Sequence, residues 1–196
     1  MRATYERAWR DLPEDPEPWR WRERRALLLA EARPGERVLD LGCGAGRFVA
    51  ALDDAGCTPV GVELASAALE RARRVVPGAD LRLVEPDGPL PLGHGELDLV
   101  WCSEVLEHVP DALGLLQEAR RVLCPGGRLL LTVPGHGRVR RVAIAAARFD
   151  AHFDPLGQHV RFFTRRSLAR TLEAAGFEVV RLGSLGSSIV AHARRA

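Results

Sequence analysis

The chain is expected to fold as an α/β protein, a mainly parallel sheet with helices on both faces. Three observations predict this. From Arg37 onward, short runs rich in Val and Leu alternate with helical stretches, the pattern of repeated strand–helix units. Glycine or a Pro-Gly pair closes most of the helical stretches, as at Pro34-Gly35, Gly56, Pro77-Gly78 and Gly176, where neither residue sustains a helix. The first apolar run ends in an acid and then carries glycine at every second position, Asp40-Leu41-Gly42-Cys43-Gly44-Ala45-Gly46. That reads as a buried strand entering a tight turn and a helix start. Missing Cβ atoms and free N–H groups there let a ligand approach the backbone.

Element by element, residues 1–20 hold Tyr5, Trp9 and Trp19 with prolines at 13, 16 and 18, a short helix followed by a stiff connector. A second helix is expected from Trp21 to Ala32. Arg37–Leu41 is the first strand and Phe48–Ala55 its helix. Thr58–Val62 is the second strand and Ala65–Val75 its helix. Asp80–Val84 and Leu97–Cys102 are the third and fourth strands, with a loop rich in Gly and Pro between them. Asp111–Leu123 is helical and stops at Pro125-Gly126-Gly127, and Arg128–Val133 is the fifth strand. Val139, Val142, Ala146 and Phe149 fall at helical spacing,. Thr164 is placed to cap a helix that runs to Ala175. Phe177–Leu182 and Ser188–Ala193 follow as strands; five residues separate them, too few for a crossover helix, so they are expected to be antiparallel neighbours.

The 196 residues suffice for one domain with a real core,. No apolar run approaches membrane-spanning length, and the arginine- and acid-rich opening residues have no secretory pattern. Cys43, Cys57, Cys102 and Cys124 form no CxxC pair, which suits free thiols in a reducing compartment. A cytoplasmic protein is therefore expected. A net charge of +2 gives no argument for nucleic acid,.

The glycine segment limits the ligand. A dinucleotide fingerprint needs glycine at its sixth position, and counting from Gly42 that position is Arg47, which argues against a nicotinamide oxidoreductase. The acid-x-Gly-x-Gly-x-Gly pattern resembles the first motif of class I S-adenosylmethionine (SAM)-dependent methyltransferases. Four further segments resemble that family: Gly61-Val62-Glu63-Leu64, the fourth-strand stretch from Leu97 to Val109, the Leu123-Cys124-Pro125-Gly126-Gly127 turn, and the late pair Phe163–Leu168 and Ala174–Phe177. The likeness spans about residues 25–193. It implies a Rossmann-like three-layer sandwich with a seven-stranded, mostly parallel sheet whose last strand is antiparallel. It also implies SAM as cofactor, lying across the C-terminal strand edges, as ligands do in open α/β sheets.

Carried onto this chain, the resemblance puts Gly42, Cys43, Gly44 and Gly46 in the turn under the methionine part of SAM. Asp40 falls near the cofactor's amino group, or else caps the turn. Glu63, with Leu64 beside it, would accept the ribose hydroxyls, since a carboxylate can accept twice. Asp87 and Gly88 would meet the adenine, with Glu85 competing for that role. Cys102 and Ser103 end the fourth strand beside the cofactor, and strand alternation makes Trp101 a core residue. Glu104, Glu107 and His108 are spaced to share one face of a helical turn. With His152 or His159 they have the residue types for a divalent cation, a use some family branches make of a similar arrangement. Acids in a first helical turn equally suit the helix dipole, and no metal is expected. His108 and His159 are the candidate bases.

The expected function is transfer of the SAM methyl group to a nucleophilic atom of a small-molecule acceptor. The alternative is an RNA methyltransferase or RNA-binding protein using residues 138–166, where seven arginines face two aspartates,. A solvated helix face explains those arginines as well. Neither a nucleic-acid nor a membrane partner is expected. Residues 1–196 form one domain, in which 1–35 would be a helical lid and 135–163 an insertion on the substrate side.

Overall fold

The computed structural model describes residues 2–14, 16–135, 144, 146 and 159–196. Two helices, α1 (Arg2–Asp11) and α2 (Trp21–Leu29), precede the sheet. Then follow β1 (Arg37–Leu41), α3 (Arg47–Asp54), β2 (Thr58–Glu63), α4 (Ser66–Val75), β3 (Asp80–Leu83) and β4 (Leu97–Ser103). The second half holds α5 (Ala112–Val122), β5 (Leu123–Pro134), α6 (Arg165–Ala174), β6 (Phe177–Leu185) and β7 (Ser188–Arg195). The expected helix over Val139–Phe149 lies outside the described residues, except for Ile144 and Ala146, which are helical.

The seven strands run in the order β3-β2-β1-β4-β5-β7-β6. Neighbours from β3 through β5 pair in parallel, while β7 is antiparallel to both β5 and β6. The last strand thus slots between the fifth and sixth, as the resemblance implied. The strand order reverses direction between β1 and β4, which places their C-terminal ends at the crevice where open α/β sheets bind ligands.

Alternation along the strands makes the layers. Val38, Leu99, Trp101 and Leu130 pack with Leu28 of α2 and with Phe48 and Leu52 of α3. Leu39, Leu41, Val100, Cys102, Leu129 and Leu131 pack on the opposite face with Leu116 of α5 and with Leu168 and Leu172 of α6. Trp101 is fully buried, its ring centroid 5.4 Å from that of Phe48.

Three details differ from the sequence expectation. The β6–β7 connection is only Gly186-Ser187; Gly186 takes φ 56, which closes the hairpin and lets both strands run on. β5 starts at Leu123 and absorbs the Pro-Gly-Gly turn, because Leu97 pairs with Leu123 before the register slips to Leu99 with Arg128. Glu104 does not share a helical turn with Glu107 and His108. A single 3-10 turn covers Leu106–His108, and Glu104 precedes it with φ 56.

Thr164 caps α6 as expected. Its hydroxyl accepts from Ser167 N at 3.1 Å, and Ser167 Oγ accepts from Thr164 N at 2.9 Å. Replacing Thr164 with Ala is expected to cost about 1 kcal/mol, lowering the thermal midpoint by roughly 2–4 °C. Thr164→Ser should leave it unchanged, as differential scanning calorimetry would show.

Candidate active site

The ends of β1, β2 and β4 enclose a cavity of about 540 Å3, with the loop after β3 and the start of α5 as further walls. Leu41 and Gly42, where β1 enters the glycine turn, form part of its wall. Gly42 N and Cys43 N both donate to Val62 O, at 2.9 and 3.0 Å, tying the turn to β2. Gly42, Gly44 and Gly46 all have positive φ. A Cβ on Gly42 would stand 2.5 Å from Val105, and one on Gly44 2.9 Å from the Trp9 ring. The turn therefore requires glycine for both its conformation and its crowding.

Glu63 ends β2 and lines the cavity. Its Oε2 accepts from Gly44 N at 3.0 Å, and its Oε1 from Leu64 N at 2.8 Å and Ala65 N at 3.0 Å. Burial raises its pKa against these three N–H groups,. Leu64, Asp87, Gly88, Ser103 and His108 also line the cavity. Asp87 sits there at φ 57, whereas Glu85 is in an ion pair with Arg2 of α1 at 3.0 Å.

Other expected site residues lie behind this wall. Asp40 is buried below the turn, with no hydrogen-bond partner for Oδ2. Burial pushes its pKa up to about 8, with Arg24 pulling down and Glu63 pushing up. Cys43 and Cys102 are buried, and burial raises both thiols. Cys102 points into the α5–α6 layer while its neighbour Ser103 faces the other way, as alternation along β4 requires,. Gly46 backs onto Ala72 of α4, away from the cavity.

Sequence reading did not anticipate Arg24. It is buried in α2, and its Nε donates to Ser103 Oγ at 2.8 Å and its Nη1 to Trp19 O at 3.0 Å. It is the one buried cation among the described residues. Asp40, Glu104 and Glu107 all lie within its electrostatic reach. The signal for it was present: Arg24 stands four residues before the buried Leu28, an arginine on the apolar stripe of its helix,.

His108 and His159 come together, ring centroids 4.8 Å apart. Val160 N and Arg161 N both donate to Glu107 O, docking the stretch that follows His159. Glu107 is buried, with no hydrogen-bond partner on either carboxylate oxygen, and Oε1 is 3.7 Å from His108 Nε2. Burial pushes it up to about 8, and Glu104 adds to that. One donor atom each from Glu107, His108 and His159 fall within 4.8 Å of one another, a set of the type that holds a cation,. Glu104 is outside that set; its Oε1 accepts from Ser188 Oγ at 3.0 Å. His152 lies outside the described residues.

Helix α1 closes the remaining side. Tyr5 and Trp9 line the cavity, and Tyr5 meets the His108 ring edge-on at 5.9 Å. The Tyr5 hydroxyl is buried without a partner and is raised to about 12 by burial, then by Glu107 and Glu63. Arg2 donates to Leu64 O and Val84 O, and Glu6 accepts from Ser66 N, Ser66 Oγ and Ala67 N.

These features fit a nucleoside cofactor with an amino-acid tail. There is a cradle that a Cβ would fill, an acid at the end of the second strand, and a buried arginine and aspartate under the turn. Comparison with known proteins gives the same family. A model described as "Methyltransferase domain" matches residues 11–182. The ubiquinone biosynthesis O-methyltransferase of Thiobacillus denitrificans is 32% identical over 170 residues, covering 83% of this chain and 71% of that protein. Its namesake from Pseudomonas aeruginosa is 32% identical over 166 residues, covering 81% and 69%. Two solved structures share the fold. A SAM-dependent methyltransferase from Mesorhizobium loti has TM-score 0.71 at 21% identity, covering 90% of this chain and 97% of its own. One from Aquifex aeolicus has TM-score 0.71 at 16% identity, covering 100% and 99%. The glycine cradle and the sequence relatives agree, and the chain belongs to the class I SAM-dependent methyltransferases, enzymes that use SAM as methyl donor.

Proposed function

We propose that the chain methylates a hydroxyl oxygen of a small-molecule acceptor, in a cytoplasmic setting. One observation carries this reading: a single cavity is lined by Gly42 of the glycine turn and Glu63 together with Tyr5, Glu104 and His108. Its volume falls within the roughly 300–1,000 Å3 of small-molecule sites. The relatives' name as O-methyltransferases supports oxygen as the accepting atom. Among the described residues no helix is long and apolar enough to cross a membrane. Of the arginines that suggested RNA, Arg161 donates to Val109 O and Pro110 O and Arg165 to Ser184 Oγ. The fold itself accounts for these two, which favours the small molecule.

In this reading the turn that begins at Gly42 beds the methionine part of the donor, with Cys43, Gly44 and Gly46 shaping the turn behind it. Asp40, buried beneath the turn, attracts the donor's ammonium through the wall, and Arg24 offsets part of the charge on Asp40. Glu63 takes the ribose hydroxyls, with Leu64 and Ser103 forming the surrounding wall and Cys102 packed behind it. Asp87 and Gly88 meet the adenine, because Glu85 is already held by Arg2. Bound SAM supplies an electrophilic sulfonium methyl, so the chain's task is to align a nucleophile and exclude water. His108 takes the proton from the acceptor hydroxyl as the oxygen attacks, and His159 and Glu107 hold that imidazole and balance the charge it gains. Residues 1–35 act as the lid, with α1 fastened across the ends of β2 and β3. Residues 135–163 form the acceptor side, joined to the sheet at the Gly135–Phe163 bridge.

Isothermal titration with S-adenosylhomocysteine should give a dissociation constant near 1 μM, about −8 kcal/mol. Gly44→Val should abolish binding while the protein stays folded by circular dichroism, because its Cβ meets Trp9. Radiolabelled methyl from SAM should enter small phenols and not RNA; incorporation into RNA alone would reverse the assignment.

Asp40 gives a pH prediction. Buried at a pKa of about 8, it is mostly protonated at pH 7 in the free chain. A ligand ammonium favours its ionised form, so binding at pH 7 should release up to about one proton. Affinity should then rise from pH 6 to pH 8. Titrations in two buffers of different ionisation enthalpy would read the proton, and Asp40→Asn should remove the release.

A further inference from the structure

The segment after β3 cannot hold itself in place. Pro86, Pro89 and Pro91 have no N–H to give,, so a strand ladder is closed to it and its carbonyls need donors from elsewhere. Residues 85–90 all line the cavity. Val84 N donates to Glu63 O at 3.0 Å, and Gly88 N to Glu85 O at 3.2 Å. The second bond closes a turn with Pro86 and Asp87 at its centre. Proline followed by a residue of positive φ is a favoured order for such a turn, and Asp87 has φ 57,. The Asp87 carboxylate is therefore aimed by this turn, and the turn by whatever fixes its two ends.

Helix α5 fixes the far end. Arg121 donates through Nη2 to Leu90 O at 2.9 Å and through Nη1 to Leu92 O at 2.8 Å. Glu118, one helical turn earlier and itself on the cavity wall, accepts from Leu90 N at 2.8 Å through Oε2. The two side chains also hold each other: Glu118 Oε1 accepts from Arg121 Nε at 2.8 Å and Oε2 from Nη2 at 2.7 Å. That pairing draws the Glu118 carboxyl below its usual range and raises the Arg121 guanidinium. Both backbone groups of Leu90 are thus taken by one ion pair, and the Leu90 and Leu92 side chains are buried. Arg2 and Arg82 add one carbonyl each of the segment, Val84 O and Pro91 O. We infer that Glu118 and Arg121 are positioning residues for base recognition: by clamping Leu90 and Leu92 they hold the Asp87 turn against the adenine, so that the site tells an aminopurine from an oxopurine. The inference rests on the adenine role proposed for Asp87. A carboxylate accepts from an amino group and repels an oxygen in the same place. It does so only where its position is fixed, because a loop free to swing lets the oxygen turn to water.

S-adenosylhomocysteine and S-inosylhomocysteine differ at that position of the purine. Dissociation constants measured by calorimetry at one pH and salt should favour the adenine ligand by at least about tenfold in the unaltered chain. Arg121→Met keeps the aliphatic stem and removes the donors. It should weaken S-adenosylhomocysteine about tenfold and S-inosylhomocysteine less than about twofold. The base preference is the readout, since a residue that merely supported the fold would weaken both ligands alike. Glu118→Gln turns an NH2 toward one of the donors that the carboxylate now accepts from. It should lower the preference about threefold, and it serves if Arg121→Met does not fold. Equal losses for both ligands, or an undiminished preference in both variants, would overturn the inference alone. An unaltered chain that binds both ligands equally would overturn the adenine role of Asp87 and the inference with it. One that binds neither would overturn the donor placement itself.

Discussion

Glu63 fastens the ends of two strands to each other. Its carboxylate gathers N–H groups from Gly44, Leu64 and Ala65, so the turn after β1 and the turn after β2 share one acceptor. Such charge-assisted bonds are among the stronger ones available to a backbone. The cavity depends on this arrangement, because the glycines of the turn carry no side chains with which to fasten it. A ligand that also bonds Glu63 is thereby coupled to the turn without a further element between them.

Around that fastening the protein buries charge unevenly. Asp40, Glu63, Glu107 and Arg24 are all buried, and isolated buried charges are expensive. The cost is met in two ways. Asp40 and Glu107 have pKa values near 8, so they spend much of their time neutral near pH 7. Glu63 keeps backbone donors instead. Buried oxygens of Asp40 and Glu107 without a partner are the kind of exception that marks a binding site more often than a core.

Local chemistry made most of the fold legible. The Val- and Leu-rich runs, the Pro-Gly stops and the spaced glycines of the first turn each specify their own conformation, so the succession of elements and the closing hairpin could be read in advance, while the antiparallel last strand of a seven-stranded sheet followed from the family resemblance. The Thr164 cap and the buried Trp101 followed from nearest neighbours and alternation. The candidate site was only half legible. Glu63 and Gly42 could be placed because each ends a strand, and strand ends meet at one edge. Arg24 was hidden among charged neighbours in Trp21-Arg22-Glu23-Arg24-Arg25, where only its register with Leu28 betrays the buried face. The approach of Tyr5 to His108, and of Ser188 to Glu104, spans most of the chain; periodicity carries no information at that range.

The capping of α4 has a practical side. Ala65, at the head of that helix, has no side chain able to cap it. The acceptor comes from another helix, where Glu6 takes the N–H groups of Ser66 and Ala67 and is itself drawn below its usual pKa, chiefly by the Ser66 N–H. The opening segment is therefore a structural member of the sheet's outer layer, not a trailing arm. An affinity tag or fusion partner joined ahead of Arg2 would press on that joint, and shortening the chain there would fray a helix some sixty residues further along.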